Sequence, residues 1–166
     1  MSCSEFLHYP SGSLYSKITE DKREYYYENG QLKTIEHYLQ GRLHGEVLLY
    51  WANGKLKRKC FFVLGVREGL DQIWSEEGIL LDQSSYNRGK PEGIHRRWSK
   101  RGGLIEEILY FEPNRFDLRE WNEKGDLQVE ALWIDPSNYK ERVWDRFQNI
   151  WIEKTGRWDG KKLVYL

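Results

Sequence analysis

Few residues of this chain have the type and spacing that chemistry needs. The four histidines are His8, His37, His44 and His95. No two fall at the i, i+4 helical spacing that brings imidazoles onto one metal ion. Cys3 and Cys60 are too far apart to read as a metal-ligand pair or a disulfide framework. Glu106 and Glu107 are adjacent carboxylates. On a strand, neighbours point to opposite faces, so these two cannot share the work of a general acid and a general base. The sequence holds no G-x-S-x-G elbow, P-loop or G-x-G-x-x-G fingerprint. The expectation is a chain with no catalytic residues, no metal and no cofactor, and not an enzyme.

What the chain does carry is aromatic and charged surface. Aromatics make up 15% of its 166 residues, with 8 Trp and 11 Tyr, and mean hydropathy is −0.80. Flat rings pack well on a pleated sheet. Many rings together with 31% charged residues imply a thin structure with little two-sided core. Lys plus Arg and Asp plus Glu are 26 each, so nothing global attracts nucleic acid, and none is expected as a partner. Local bias exists. Between Arg88 and Gly103 there are 6 basic residues against Glu92, and between Leu104 and Asp135 there are 9 acidic against 3 basic. A basic patch beside Trp98 offers phosphate or anionic lipid a contact. Opposite-charge pairing between neighbouring hairpins accounts for the same pattern and is the preferred reading. No apolar run reaches 18 residues. The first residues lack the charged and apolar regions of a secretory signal, so the expected location is cytoplasmic.

The elements that position these rings follow from an internal repeat. Gly30, Gly54, Gly78, Gly102 and Gly125 recur at intervals of 24, 24, 24 and 23 residues. Four residues before each stands an aromatic: Tyr26, Tyr50, Trp74, Trp98 and Trp121, a column that Trp144 continues. Two residues after each stands Leu32, Leu56, Leu80, Leu104 or Leu127. Eight after stands Tyr38, Phe62, Tyr86, Tyr110 or Trp133. A second glycine column, Gly41, Gly65 and Gly89, gives way to Pro113 and Pro136; a third, Gly45, Gly69 and Gly93, lapses at Asp117. Side chains alternate along a strand. Leu56, Arg58, Cys60 and Phe62 therefore share one face, as do Leu127, Val129, Ala131 and Trp133. Ala131 holds the place of Cys60, which favours a small buried hydrophobe there over a redox thiol. Each unit reads as a β-hairpin, with a tight turn at the Asn-Gly pair and a short connection at the second glycine.

The expected fold is all-β: an elongated single-layer antiparallel sheet of six to seven consecutive hairpins in one domain, residues 1–166. A shortened capping unit spans about 9–25, regular units about 26–143, and a degenerate cap about 144–166, with Gln148 in the glycine position. A clipped turn near Glu20–Lys22 explains the short first interval, and the first few residues receive no strand.

The run from Tyr26 to Lys57, with its G-x-L, Y-x-x-G, G and Y-Y-x-N-G phrasing, resembles the MORN repeat, and more closely its bacterial variant form. The resemblance reaches from about Tyr9 to Trp158. Pro113, Pro136, Asp117 and Gln148 depart from it. It implies an elongated curved sheet and a non-enzymatic scaffold. Many bacterial relatives carry an antitoxin label, large DNA viruses of amoebae encode similar chains, and other MORN arrays dimerise or contact phospholipid. The aromatic cell-wall-binding repeats are the rival family, but their Gly-Trp opening does not occur here.

These readings place a candidate partner-binding surface on the aromatic columns: Tyr38, Phe62, Tyr86, Tyr110 and Trp133, with Tyr50, Trp74, Trp98 and Trp121. A second candidate is the terminal edge, Leu163, Val164, Tyr165 and Leu166, too apolar to face solvent although Lys161 and Lys162 guard it. That edge is expected to dock on its own sheet or on a second chain. The expected partner is a protein, either a cognate toxin-like molecule or a second copy forming a homodimer. The alternatives are a structural place in a larger assembly, including a virion or host cytoplasm, and a membrane lipid.

Overall fold

The computed structural model describes residues 4–112, 115–159 and 162–166, apart from the side chain of Leu163. Cys3, Pro113 and Lys161 lie outside the described residues. The chain forms two compact units, Met1–Lys90 and Pro91–Leu166. The first unit contains β1 (Glu5–His8), β2 (Leu14–Ile18), β3 (Lys22–Tyr26), β4 (Leu32–Leu39), β5 (Arg42–Tyr50), β6 (Leu56–Val63), β7 (Val66–Trp74) and β8 (Leu80–Asn87). A two-residue strand, β9 (Lys90–Pro91), lies at the boundary. The second unit contains β10 (Gly93–Trp98), β11 (Leu104–Glu112), β12 (Arg115–Trp121), β13 (Leu127–Trp133), β14 (Asn138–Asp145), β15 (Ile150–Trp158) and β16 (Leu163–Tyr165). Within each unit the strands pair antiparallel in chain order, so each is one open sheet of successive hairpins. The described residues include no helix.

Two kinds of turn alternate, and the Asn-Gly pair makes the longer one. Gly30 N–H bonds Tyr27 O at 2.9 Å, and Tyr27 N–H bonds Gln31 O at 2.8 Å. Only the glycine has positive φ, at 84°. This is a type I turn closed by a left-handed glycine bulge. The two-residue turns sit at the second glycine column instead. There Leu64 (φ 49°) and Gly65 (φ 86°) are both left-handed, between the paired residues Val63 and Val66. That is the type I′ geometry, whose twist matches the strands. The short connection expected at the second glycine is thus only two residues long, and Arg42–His44 already belong to β5. The third glycines are bulges inside the strand. Gly45, at φ 101°, sits where the β4–β5 register shifts between Glu36 and Tyr38.

The ends keep the same logic with different residues. Glu5–His8 does form a strand, because Tyr9 and Gly12 build the same bulged turn as Tyr27 and Gly30 (Gly12 N to Tyr9 O, 2.9 Å). The clipped β2–β3 turn is capped by Thr19, whose hydroxyl donates to Asp21 at 2.8 Å. Asp117 makes no bulge; its Oδ1 accepts the Trp133 N–H at 2.8 Å. At Pro136, Asp135 accepts from the Ser137 and Asn138 N–H groups at 2.8 and 3.0 Å. Beyond Gln148 the left-handed residue is Asn149, at φ 56°.

A conventional core is nearly absent. Among the described residues, Val47, Cys60 and Ala131 are the buried hydrophobic ones, and Ser16, Asp71, Ser75 and Ser84 the buried polar ones. In the first unit the register puts Val47, Cys60, Asp71 and Ser84 in one row on one face.

Candidate functional site

That buried row divides the aromatic face. In the first unit, Tyr50 and Trp74 pair with Leu56 and Leu80 at the bulged-turn end of their strands. Phe62 and Tyr86 lie on the other side of the row, opposite Gly45 and Gly69. The glycine column and the aromatic column recur together for this reason: each bulge glycine faces a ring across the ladder. Tyr38, Phe62, Tyr86, Tyr110, Trp133, Tyr50, Trp74, Trp98 and Trp121 are all half-buried. They are packed enough to hold the sheet and open enough to be touched.

Arginines interleave with the rings. Arg23 lies 4.2 Å from the Tyr38 ring centroid, Arg67 4.6 Å from that of Tyr86, and Arg115 5.0 Å from that of Trp133. Such cation–π contacts fix the guanidinium over the ring. Tyr38 Oη donates to Glu36 at 2.8 Å, and its phenol is pushed upward by burial first and by Glu36 next. In the second unit the rings touch one another. Tyr110 contacts Phe116 at 5.4 Å, while Trp133 contacts Tyr139 at 5.7 Å and Trp158 at 6.0 Å. Tyr165, from the terminal edge, joins Tyr139 at 6.5 Å. Burial pushes the Tyr139 phenol well above its ordinary value.

The polar members of the buried row are satisfied internally. Asp71 accepts from Arg58 Nε at 2.9 Å and Nη2 at 2.6 Å, and lies 3.5 Å from Arg67 Nη1. The hydrogen bond to Asp71 raises the Arg58 pKa, against burial. Cys60 is 3% exposed, and its thiol is pushed up by burial and then by Asp71. A thiol held protonated is a poor nucleophile and a poor metal ligand. Among the described residues no three His, Cys, Asp or Glu side chains converge as metal ligands do.

Three of the six basic residues of the segment are paired with acidic residues of the following repeat units. Arg96 pairs with Glu107 at 2.9 Å on one face, Arg97 with Glu106 at 2.7 Å on the other, and Arg101 with Glu123 at 3.3 Å. The Arg96 pair begins an alternating ladder, Arg96–Glu107–Arg119–Glu130–Arg142.

Three kinds of contact between repeats were not read from the sequence. Tyr9 and Tyr27 donate their hydroxyls to the carbonyls of Tyr26 and Tyr50 at 2.9 Å, and Trp51 Nε1 donates to Trp74 O at 3.1 Å. Asn29 and Asn53 each cap their own turn through Oδ1 and donate Nδ2 to Ala52 O and Glu76 O at 3.1 Å. His44 Nδ1 accepts the Leu64 N–H at 3.4 Å, and Glu68 accepts the Arg88 N–H at 2.7 Å. The sequence suggested a solvated loop there; the position tolerates His or Glu because both can accept.

The family comparison agrees with this geometry. The MORN repeat variant matches residues 22–40 and 43–63. These are the β3–β4 and β5–β6 hairpins, each centred on an Asn-Gly turn, so the MORN-variant unit is the hairpin closed by the glycine bulge. No curated protein matches the chain.

Proposed function

We propose that this chain is a non-enzymatic, cytoplasmic repeat scaffold that binds a protein partner through its aromatic face. The observation that carries the reading is the half-open row of rings interleaved with arginines on a sheet with few fully buried side chains. Aromatic and arginine side chains are the residues on which interfaces most often depend. A MORN-variant scaffold of this kind suits an antitoxin-like role toward a cognate toxin, and equally a fixed place in a larger assembly. Site-specific photo-crosslinking in the native source tests it. A photoreactive residue at Phe62 is expected to yield a discrete protein adduct that the same residue at Lys59, on the opposite face, does not. Equal adducts from both positions, or none from Phe62, count against the aromatic face.

Self-association is a second reading, favoured by the terminal edge. β16 pairs back on β15, with Tyr165 Oη donating to Glu141 at 3.0 Å. Yet Val164, Tyr165 and Leu166 remain 40%, 53% and 85% exposed. Sedimentation of the full chain and of one lacking 163–166 separates a dimer edge from an inert one.

A further inference from the structure

The face opposite the rings carries a second apolar surface in the first unit. Leu39, Phe61, Val63, Val66 and Leu70 are 46%, 38%, 39%, 45% and 52% exposed. The register places them on one face, at the type I′ turn end of β4, β6 and β7. A shallow groove of about 590 Å³ opens there, lined by Arg42, Val63, Leu64, Val66, Glu68 and Arg88. Apolar residues form its floor and an arginine stands toward each end.

The charges of this groove are unbalanced. Glu68 is committed to the Arg88 backbone N–H at 2.7 Å, and the nearby Glu46 is paired with Lys59. The guanidiniums of Arg42 and Arg88 have no acidic partner among the described residues. The other three arginines of the first unit are paired or lie over rings: Arg23 over Tyr38, Arg58 on Asp71, Arg67 on both Asp71 and Tyr86. Two unpaired cations flanking an exposed apolar floor present the complement of an acidic, apolar segment.

We propose that this groove docks an extended peptide segment carrying two carboxylates that flank a large apolar residue. Arg42 begins β5 and Arg88 follows β8, three strand spacings away, or roughly 14 Å. An extended chain advances about 3.3 Å per residue and returns to the same face every second residue. Four residues therefore span the gap. The segment reads acidic–x–apolar–x–acidic, with all three side chains facing the groove. The outer carboxylates meet Arg42 and Arg88, and the central side chain lies on Val63 and Val66. This surface is independent of the aromatic face, so either can fail without the other.

The test is a random-peptide display selection on the full chain. One enriched peptide is then measured by fluorescence anisotropy against wild type and an Arg42→Glu/Arg88→Glu variant. Enrichment of two acidic residues four apart around Leu, Ile or Phe is expected, with affinity falling about tenfold or more on charge reversal. If the reversed variant melts early, Arg42→Gln/Arg88→Gln replaces it, with a smaller loss expected in the same direction. A selection without that spacing overturns the proposal, as does a peptide that binds the reversed variant equally well. Arg42- and Arg88-dependent flotation with phosphatidylserine vesicles, without peptide enrichment, assigns the cations to lipid and overturns it too.

Discussion

Removing the Asp71 carboxylate tests whether the buried row is structural. Asp71 is 4% exposed and accepts two guanidinium hydrogen bonds, at 2.9 and 2.6 Å. Breaking a buried pair from one side costs roughly 3–5 kcal/mol, because the other charge stays behind. The arginines here are not sealed in: Arg58 and Arg67 side chains keep 30% and 33% of their exposure. Water can recover part of their solvation, so Asp71→Ala is expected to cost about 2–3 kcal/mol. Urea unfolding followed by tryptophan fluorescence reads this as a lower midpoint at unchanged slope. An Asp71→Ala/Arg58→Ala cycle should give a coupling of about 1–2 kcal/mol. Replacing the pair with Asp71→Leu and Arg58→Met should bring stability back to within about 1 kcal/mol of wild type. A loss below about 1 kcal/mol for Asp71→Ala, with no coupling to Arg58, would refute the reasoning. The carboxylate would then be free of structural duty, and the row would have to be reconsidered as a ligand site.

Trp74→Ala is expected to cost about 3 kcal/mol, the low end for an aromatic truncation because the ring is half-buried. Trp144→Ala, whose ring meets Trp151 edge-on at 5.4 Å, should cost less, and melting temperatures rank the two. Asn53→Asp keeps the cap on the Lys55 N–H but loses the donor to Glu76 O, so a loss of about 1 kcal/mol in urea isolates the bond between repeats. Glu130 titrates below its ordinary value: burial opposes ionisation, but hydrogen bonds from Arg119 and Arg142 and their charges outweigh it. A depressed carboxylate stabilises the fold above the unfolded value of 4.5 and loses that contribution as pH falls through the folded value. Glu130→Gln should therefore flatten the acid side of the stability–pH profile, with little further effect on the slope above pH 6.

The repeat was legible because each column has a single physical duty. Leu56, Cys60 and Phe62 share a face by strand alternation alone, and the opposite-charge blocks do pair, as Arg96 and Glu107 do. Turn type was not legible. Asn-Gly serves both the two-residue and the bulged turn, and the bulged turn also forms at Gly12, Gly78, Gly102 and Gly125, where no Asn precedes the glycine. The ring that follows the column, Tyr27 or Trp51, stands beside Tyr26 or Tyr50 without a separate duty in the repeat pattern. Its duty is a bond 23 residues away, and only its recurrence with a polar tip hinted at that. The opposite face was missed because Leu39, Val63, Val66 and Leu70 read as ordinary strand hydrophobics, whereas their exposure depends on the absence of a second layer.

The two units hold their repeats together by different forces, and this bears on where a partner can bind well. In the first unit, ring-to-carbonyl and asparagine-to-carbonyl bonds fix successive bulged turns. At the ring positions the second unit has Ser99 and Asn122, which instead cap their own turns through Arg101 and Lys124 N–H. Its neighbouring strands lean on the Arg–Glu ladder, whose arginines keep 37–38% of their exposure. Neutral hydrogen bonds between repeats are insensitive to salt, whereas half-exposed ion pairs weaken with it. A surface loses less entropy on binding when its side chains are already held in place. Tyr38, Phe62 and Tyr86 sit on the unit with these bonds between repeats, with Arg23 and Arg67 seated against rings and Arg58 and Arg67 held by the buried Asp71. Tyr110 and Trp133 sit on the unit that leans on the Arg–Glu ladder, with Arg115 over the Trp133 ring. The aromatic face is thus best preorganised within Tyr38–Tyr86, where the strongest contacts with a protein partner are expected.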